Sequence, residues 1–283
     1  MSKLHREFAS LIVATVAATA WCSTTVETTQ ESNLVIPEIT ATVELPKPSA
    51  APKDLGPFTA GPDAKPIVVD EATIGKLKDL AATYQKVAHD NYGLILRTLR
   101  LPLDRPCKPV KIVVTYSYNG VAATSGAGFG AGPTTPVIEV SAKYALAHPN
   151  DLGMIVHEMT HVVQSYPTYD PVWLVEGIAD YVRWFFYEPV GKRPRPNPAR
   201  ATARDSYQTT GAFLYWASCH YDLDLVAKLS KAFQANAYKE DLFKEFTGRT
   251  LNQLNDEWLA SLRKATANEL PKVGQVSDWV ADQ

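Results

Sequence analysis

The sequence predicts an α+β domain, a small N-terminal mixed sheet with helices followed by a helical half. Three observations carry this expectation. First, Val110, Ile112 and Val114 alternate with Lys111, Val113 and Thr115, the period-two pattern of a strand, and a second short strand is read at Val137–Ser141. Second, Ile74, Leu77, Leu80, Ala81, Tyr84 and Val87 recur at helical spacing from Glu71 onward, which predicts one amphipathic helix before the strands. Third, helical patterns dominate the remainder, over about 151–165, 171–186, 207–219, 222–235 and 250–266. Strands and helices are segregated along the chain rather than alternating, which favours α+β over a doubly wound sheet.

The front of the chain reads differently. Lys3, His5 and Arg6 precede an apolar run from Phe8 to Ala18, and Ala18-Thr19-Ala20 stands before Trp21. That order predicts a signal peptide over residues 1–20 and a secreted or periplasmic protein. The apolar run is too short to span a bilayer, which needs about 20 residues. Trp21 argues against a lipid anchor at Cys22, because that modification needs a small residue before the cysteine. Residues 21–65 are rich in Thr and Pro and read as a disordered linker or pro-segment. The folded unit is therefore expected over 66–283. A formal net charge of -2 argues against a nucleic-acid binder, which usually shows a basic face. Cys107 and Cys219 could pair in an exported protein, leaving Cys22 odd, or remain buried thiols; both readings stand. The glycine-rich stretch from Gly120 to Gly132 reads as a flexible hairpin-like loop. It is no phosphate cradle, because Pro133, Pro136 and a strand follow where a helix would be needed.

The segment His157-Glu158-Met159-Thr160-His161 carries the chemistry. Two histidines four residues apart on a helix differ by about 40° and sit one turn apart on one face, so their imidazoles can share a cation. Leu152, Ile155, Val156, Met159, Val162 and Val163 make the rest of this helix apolar, and Asn150 or Asp151 is expected to cap it. Glu158 points about 100° away from His157. It is placed to take a proton from a metal-bound water rather than to bind the metal. A catalytic zinc site needs a third protein ligand and one open position. Glu176 lies fifteen positions after His161, on a second helix that Asp170 and Pro171 would begin as N-cap and first residue. Gly177 costs about 1 kcal/mol in a helix, and close approach to the histidine helix is its expected benefit. Asp180 shares a face with Glu176 and is expected to accept the outer N–H of a ligating histidine.

The run from Glu158 to Arg183 resembles a gluzincin site, where a Glu four residues before an Asp supplies the third ligand. More closely, the chain resembles the basic secretory protease family of plants and bacteria. The supporting segments are GVAATSG at 120–126, Ser141-Ala142-Lys143-Tyr144, HEMTHVVQ at 157–164, WLVEGIADYVR at 173–183, SYQTTGAFLYW at 206–216 and FTGRTLNQLNDEW at 246–258. The mild acidity and the long front segment depart from that family. The resemblance implies a secreted zinc-dependent peptidase acting on peptides or proteins. His157, His161 and Glu176 would hold Zn2+, and Glu158 would be the general base. Among Tyr207, His220, Arg183 and Tyr181, the resemblance favours Tyr207 as the oxyanion donor. By the same analogy, Val137–Ser141 would bind the substrate backbone by strand addition. Trp184, Phe185, Phe186 and Tyr187 are expected to pack in the core. Two other functions fit the same residues: a non-catalytic secreted binding protein on a decayed peptidase fold, and a zinc hydrolase of non-peptide amides.

Overall fold

The computed structural model describes residues 33–45, 69–128 and 134–267. The expected signal peptide, Cys22 and most of the Thr/Pro-rich front segment lie outside the described residues.

Alternating burial organises one sheet. Strands β1 (Ile39–Glu44), β2 (Val110–Thr115), β3 (Ala122–Ser125) and β4 (Val137–Ser141) lie in the order β1-β2-β4-β3. β2 is parallel to both β1 and β4, and β3 is antiparallel to β4, so the sheet is mixed. Val110, Ile112, Val114, Ile138 and Val140 are fully buried. They meet helix α1 (Glu71–Thr98), which buries Leu77, Ala81, Tyr84, Ala88, Tyr92, Ile95 and Leu96 along one stripe. The start of α1 is fixed by Asp70, whose carboxylate accepts from the Thr73 N–H at 2.7 Å, satisfying an otherwise unpaired helix-terminal donor.

The second half is helical. α2 (Ala142–Ala147) and α3 (Gly153–Gln164) follow the sheet. α4 (Val172–Val182) runs on into a π-helical turn, Arg183–Tyr187. α5 (Tyr207–His220), α6 (Leu225–Gln234), α7 (Leu242–Thr247) and α8 (Leu251–Ala267) complete the domain. Phe213 of α5 packs edge-on against Trp258 of α8 and beside Phe243 of α7, so α5 is the hub of this half. Among the described residues, no helix is long and apolar enough to cross a membrane.

Three expectations need correction, and one open alternative closes. β1 lies inside the segment read as linker. Its sequence ITATVE buries only alternate residues in part, apart from Ile39, so its apolar signal is faint. β3 lies inside the glycine-rich stretch read as a loop, because Ala-Ala-Thr-Ser offers no branched apolar side chain to mark a strand. Both are edge strands, and an edge buries less than a centre. β4 is internal, paired on both sides by β2 and β3, so it offers no free edge for strand addition. Cys107 and Cys219 are free thiols, the first half-buried and the second exposed on α5.

β1 extends the folded unit to before residue 66. Gln85 of α1 donates to the Ile39 carbonyl at 2.7 Å, and Val110 N–H donates to the Glu38 carbonyl at 2.8 Å. A chain beginning at residue 66 is expected to be less stable than one beginning at residue 32 by roughly 2 kcal/mol or more, from the lost burial of Ile39 and its neighbours. It should also self-associate through the bared edge of β2. Chemical denaturation and size-exclusion chromatography measure both, and matching curves would make β1 dispensable.

Candidate metal centre

Helix α3 is the buried axis of the domain. All its residues but Val162 are buried, because the sequence places apolar residues around the whole circumference and leaves the polar ones to satisfy one another. Its N-terminus differs from expectation. Neither Asn150 nor Asp151 caps it; Leu152 occupies the cap position without a side-chain bond. Asp151 is instead engaged by the Arg183 guanidinium and the Tyr144 hydroxyl.

The histidines of α3 and Glu176 of α4 converge. His157 Nε2 lies 3.0 Å from Glu176 Oε2 and 3.1 Å from His161 Nε2, and His161 Nε2 lies 3.5 Å from Glu176 Oε2. Ligands bound at 2.0–2.1 Å in a tetrahedron stand about 3.3 Å apart, so this triangle is one face of such a polyhedron. The outer nitrogens set the tautomers. His157 Nδ1 is 2.7 Å from Asp180 Oδ1, and His161 Nδ1 is 2.7 Å from Gln164 Oε1. With both Nδ1–H groups donating outward, two Nε2 lone pairs and a carboxylate oxygen face one another, and a cation reconciles three such acceptors. The three residues are the cluster among the described residues able to hold a metal ion.

The local field agrees. Burial opposes a charge on His157, yet the Asp180 carboxylate, with Glu176 and Glu158 beside it, raises its pKa to about 10. Burial likewise opposes ionisation of Glu176, but the adjacent His157 and His161 imidazoles lower its pKa to about 2. Both shifts describe a pocket that favours positive charge at its centre.

Glu158 stands beside the triangle and is not part of it. Thr124 Oγ1 of β3 donates to Glu158 Oε2 at 2.7 Å and lies 3.1 Å from the Glu158 carbonyl oxygen. β3 therefore tethers both the side chain and the backbone of this residue. Gln164 is similarly anchored, its Nε2 donating to the Val175 carbonyl at 3.0 Å, which links the histidine helix to the helix of the third ligand. Thr124 and Gln164 were not singled out from the sequence, although both lie in the GVAATSG and HEMTHVVQ segments.

Of the four oxyanion candidates, Tyr207 is at the centre. Its ring stacks on His157 at 6.1 Å between centroids, and burial followed by the Glu176, Asp180 and Glu158 charges raises its pKa, so the phenol keeps its proton. Its backbone is strained: Ser206 has φ 66°, ψ 178° and Tyr207 has φ 45°, regions that non-glycine residues rarely occupy. His220 lies at the opposite end of α5, about 20 Å along the helix axis, with Nδ1 on the Trp216 carbonyl. Arg183 is committed to Asp151. Tyr181 is buried against Phe186. Of the Trp184–Tyr187 run, only Phe185 is buried, stacked on Tyr215 at 4.5 Å, while Trp184, Phe186 and Tyr187 are half-buried against the core, Trp184 under the Arg183 guanidinium.

Gly177 serves a different neighbour from the one expected. A Cβ there would lie 2.1 Å from Thr210 Cγ2 of α5, so the missing side chain admits α5 rather than α3. Gly211 reciprocates, since its Cβ would come within 3.1 Å of the Asp180 backbone. The helix bearing Glu176 and Asp180 is thereby seated directly on the helix that begins with Tyr207.

Two histidines one turn apart, a glutamate from the next helix and a free glutamate alongside, on a mixed sheet followed by a helical half, define a metallopeptidase of gluzincin-like α+β fold. The chain belongs to the basic secretory protease family, described as peptidases of plants and bacteria, whose model matches residues 76–258. No curated protein and no solved structure matches the chain. The matched span contains His157, Glu158, His161, Glu176, Asp180 and Tyr207.

The outer hydrogen bonds carry a testable cost. Asp180→Asn and Gln164→Ala are each expected to weaken metal retention roughly 10–100-fold, measured by competition with a chelator. Retention equal to the parent in a folded variant would assign that residue to packing alone.

Proposed function

We propose that the chain is an exported zinc peptidase in which Glu158 is the general base and Tyr207 the second donor to the oxyanion. The observation that carries this reading is the convergence of His157, His161 and Glu176, with Glu158 held next to them but outside the triangle. Two imidazoles and one carboxylate suit zinc, and three protein ligands leave a fourth position for water or substrate. When bound, zinc would acidify that water and polarise the scissile carbonyl.

The chain's own residues do the rest. Asp180 and Gln164 hold the imidazoles so that both Nε2 atoms face the centre. Glu158, oriented by Thr124, accepts a proton from the attacking water and returns it to the leaving amine. Tyr207 donates a hydrogen bond to the carbonyl oxygen as it gains charge, without adding formal charge of its own. The substrate backbone pairs with the free edge of β3, which carries Thr124, instead of with β4. The basic, apolar and small-residue order of residues 1–20 supports export.

Elemental analysis under non-chelating conditions should find close to one zinc per chain, and less than about a tenth would defeat the zinc assignment. Glu158→Gln should retain that zinc while cleavage of casein, followed by mass spectrometry of new termini, falls at least about a hundredfold. Undiminished cleavage would remove Glu158 as base. Tyr207→Phe should lower kcat by about a hundredfold with little change in KM, and an unaltered kcat would return Tyr207 to a packing role.

A further inference from the structure

We infer that Tyr118 is a gate on the substrate edge: its phenol occupies the main-chain carbonyl of Ala122, which an extended peptide must take over to lie along β3. This rests on the peptidase reading and on strand addition at β3.

Ser141 N–H donates to the Val121 carbonyl at 3.1 Å, and the register pairs Ala122 with Val140, Ala123 with Glu139 and Thr124 with Ile138. In an antiparallel pair the hydrogen-bonding groups alternate between the partner and the opposite side. Val121, Ala123 and Ser125 therefore bond toward β4, while the N–H and C=O groups of Ala122 and Thr124 point to the other edge. Among the described residues, no strand pairs with that edge. The strand lies beside the reaction centre, because the Thr124 side chain reaches Glu158.

One of the two outward carbonyls is already taken. The Tyr118 hydroxyl donates to the Ala122 carbonyl at 3.1 Å. The phenol also lies within the field of Glu158, Glu139 and Glu176, on the catalytic side of the strand. The ring reaches this place by folding over its own turn. A Cβ on Gly120 would lie 2.4 Å from the Tyr118 hydroxyl oxygen and 2.6 Å from Cζ. Glycine at 120 is what lets the ring close onto the edge, and Tyr118 is only half-buried there.

Ala122 is two residues, or roughly 7 Å, from Thr124. A short peptide held at Thr124 leaves the gate closed. A longer one, extending past Ala122, displaces the phenol and inherits its carbonyl. The gate thus taxes extended substrates in binding and leaves the chemical step alone.

The test uses an extended octapeptide of casein sequence and tetrapeptides trimmed from either end of it. Affinity is read by calorimetry on the zinc-loaded full chain carrying Glu158→Gln, and turnover on the parent. Tyr118→Phe, which keeps the ring and removes the donor, should tighten octapeptide binding and lower its KM about threefold to tenfold, the scale of one hydrogen bond. kcat should hold, and tetrapeptides lacking the Ala122-side residues should not respond. Gly120→Ala, which pushes the ring off the edge, should act in the same direction. An equal effect on every length, no effect on any, or absence of peptide binding overturns the gate. A fall in kcat would instead make Tyr118 a participant in the reaction. Loss of turnover in the parent with the length-dependent affinity intact would defeat the peptidase reading and spare the gate.

Discussion

Three acceptor atoms held within 3.5 Å of one another impose the main constraint on this domain. Lone pairs do not converge by themselves. Each of the two Nε2 atoms faces inward because its Nδ1–H is claimed from behind, by Asp180 and by Gln164. Asp180 comes from the helix of the third ligand, and Gln164 binds the carbonyl of Val175 on that helix. The α3–α4 interface and the metal centre are therefore a single polar network. Its members are buried, so each unmet hydrogen bond would cost about 1–3 kcal/mol.

Such a network needs rigid surroundings, and backbone proximity supplies them. Thr210 Cγ2 fills the place where a side chain on Gly177 would stand, while its hydroxyl donates to the Ala203 carbonyl at 2.8 Å. One residue thus fixes the distance between α4 and α5 and anchors the segment leading to Ser206 and Tyr207. The two left-handed residues at that junction store strain that the packing must hold. The strain falls where the chain turns a phenol toward His157 rather than in the core, as expected of a position selected for what it presents.

How much of this was legible depends on whether a role is local or tertiary. The histidine pair and Glu158 follow from helical period alone, and Glu176 and Asp180 follow from a second helix with the same period. α1 also declared itself, because it buries one stripe. β1 and β3 did not, since an edge strand of Thr, Ala and Ser buries too little to leave a pattern. Gln164 sits three residues after His161, within helical reach, and its role could have been read by the logic that found Asp180. Thr124 and Tyr118 could not: their partners lie across a strand register that no sequence spacing encodes. Gly177 shows the same boundary, since the need for a small residue was legible and the helix it admits was not.

β3 carries two duties that pull in different directions. As the last strand of the sheet it has free main-chain groups, which in water invite association with other chains. As the wall of the reaction centre it must keep those groups available. A strand of four residues limits the hazard by its length. Thr124 turns its hydroxyl to the Glu158 carboxylate, so its side chain is engaged while its backbone remains open. Tyr118 covers the neighbouring carbonyl with a bond worth about 1 kcal/mol net, enough to shield an idle edge and weak enough for a peptide backbone to replace. The same hydrogen-bonding groups that complete a sheet elsewhere are here left incomplete beside Glu158, and in the proposed function that incompleteness gives an extended substrate its place in the site.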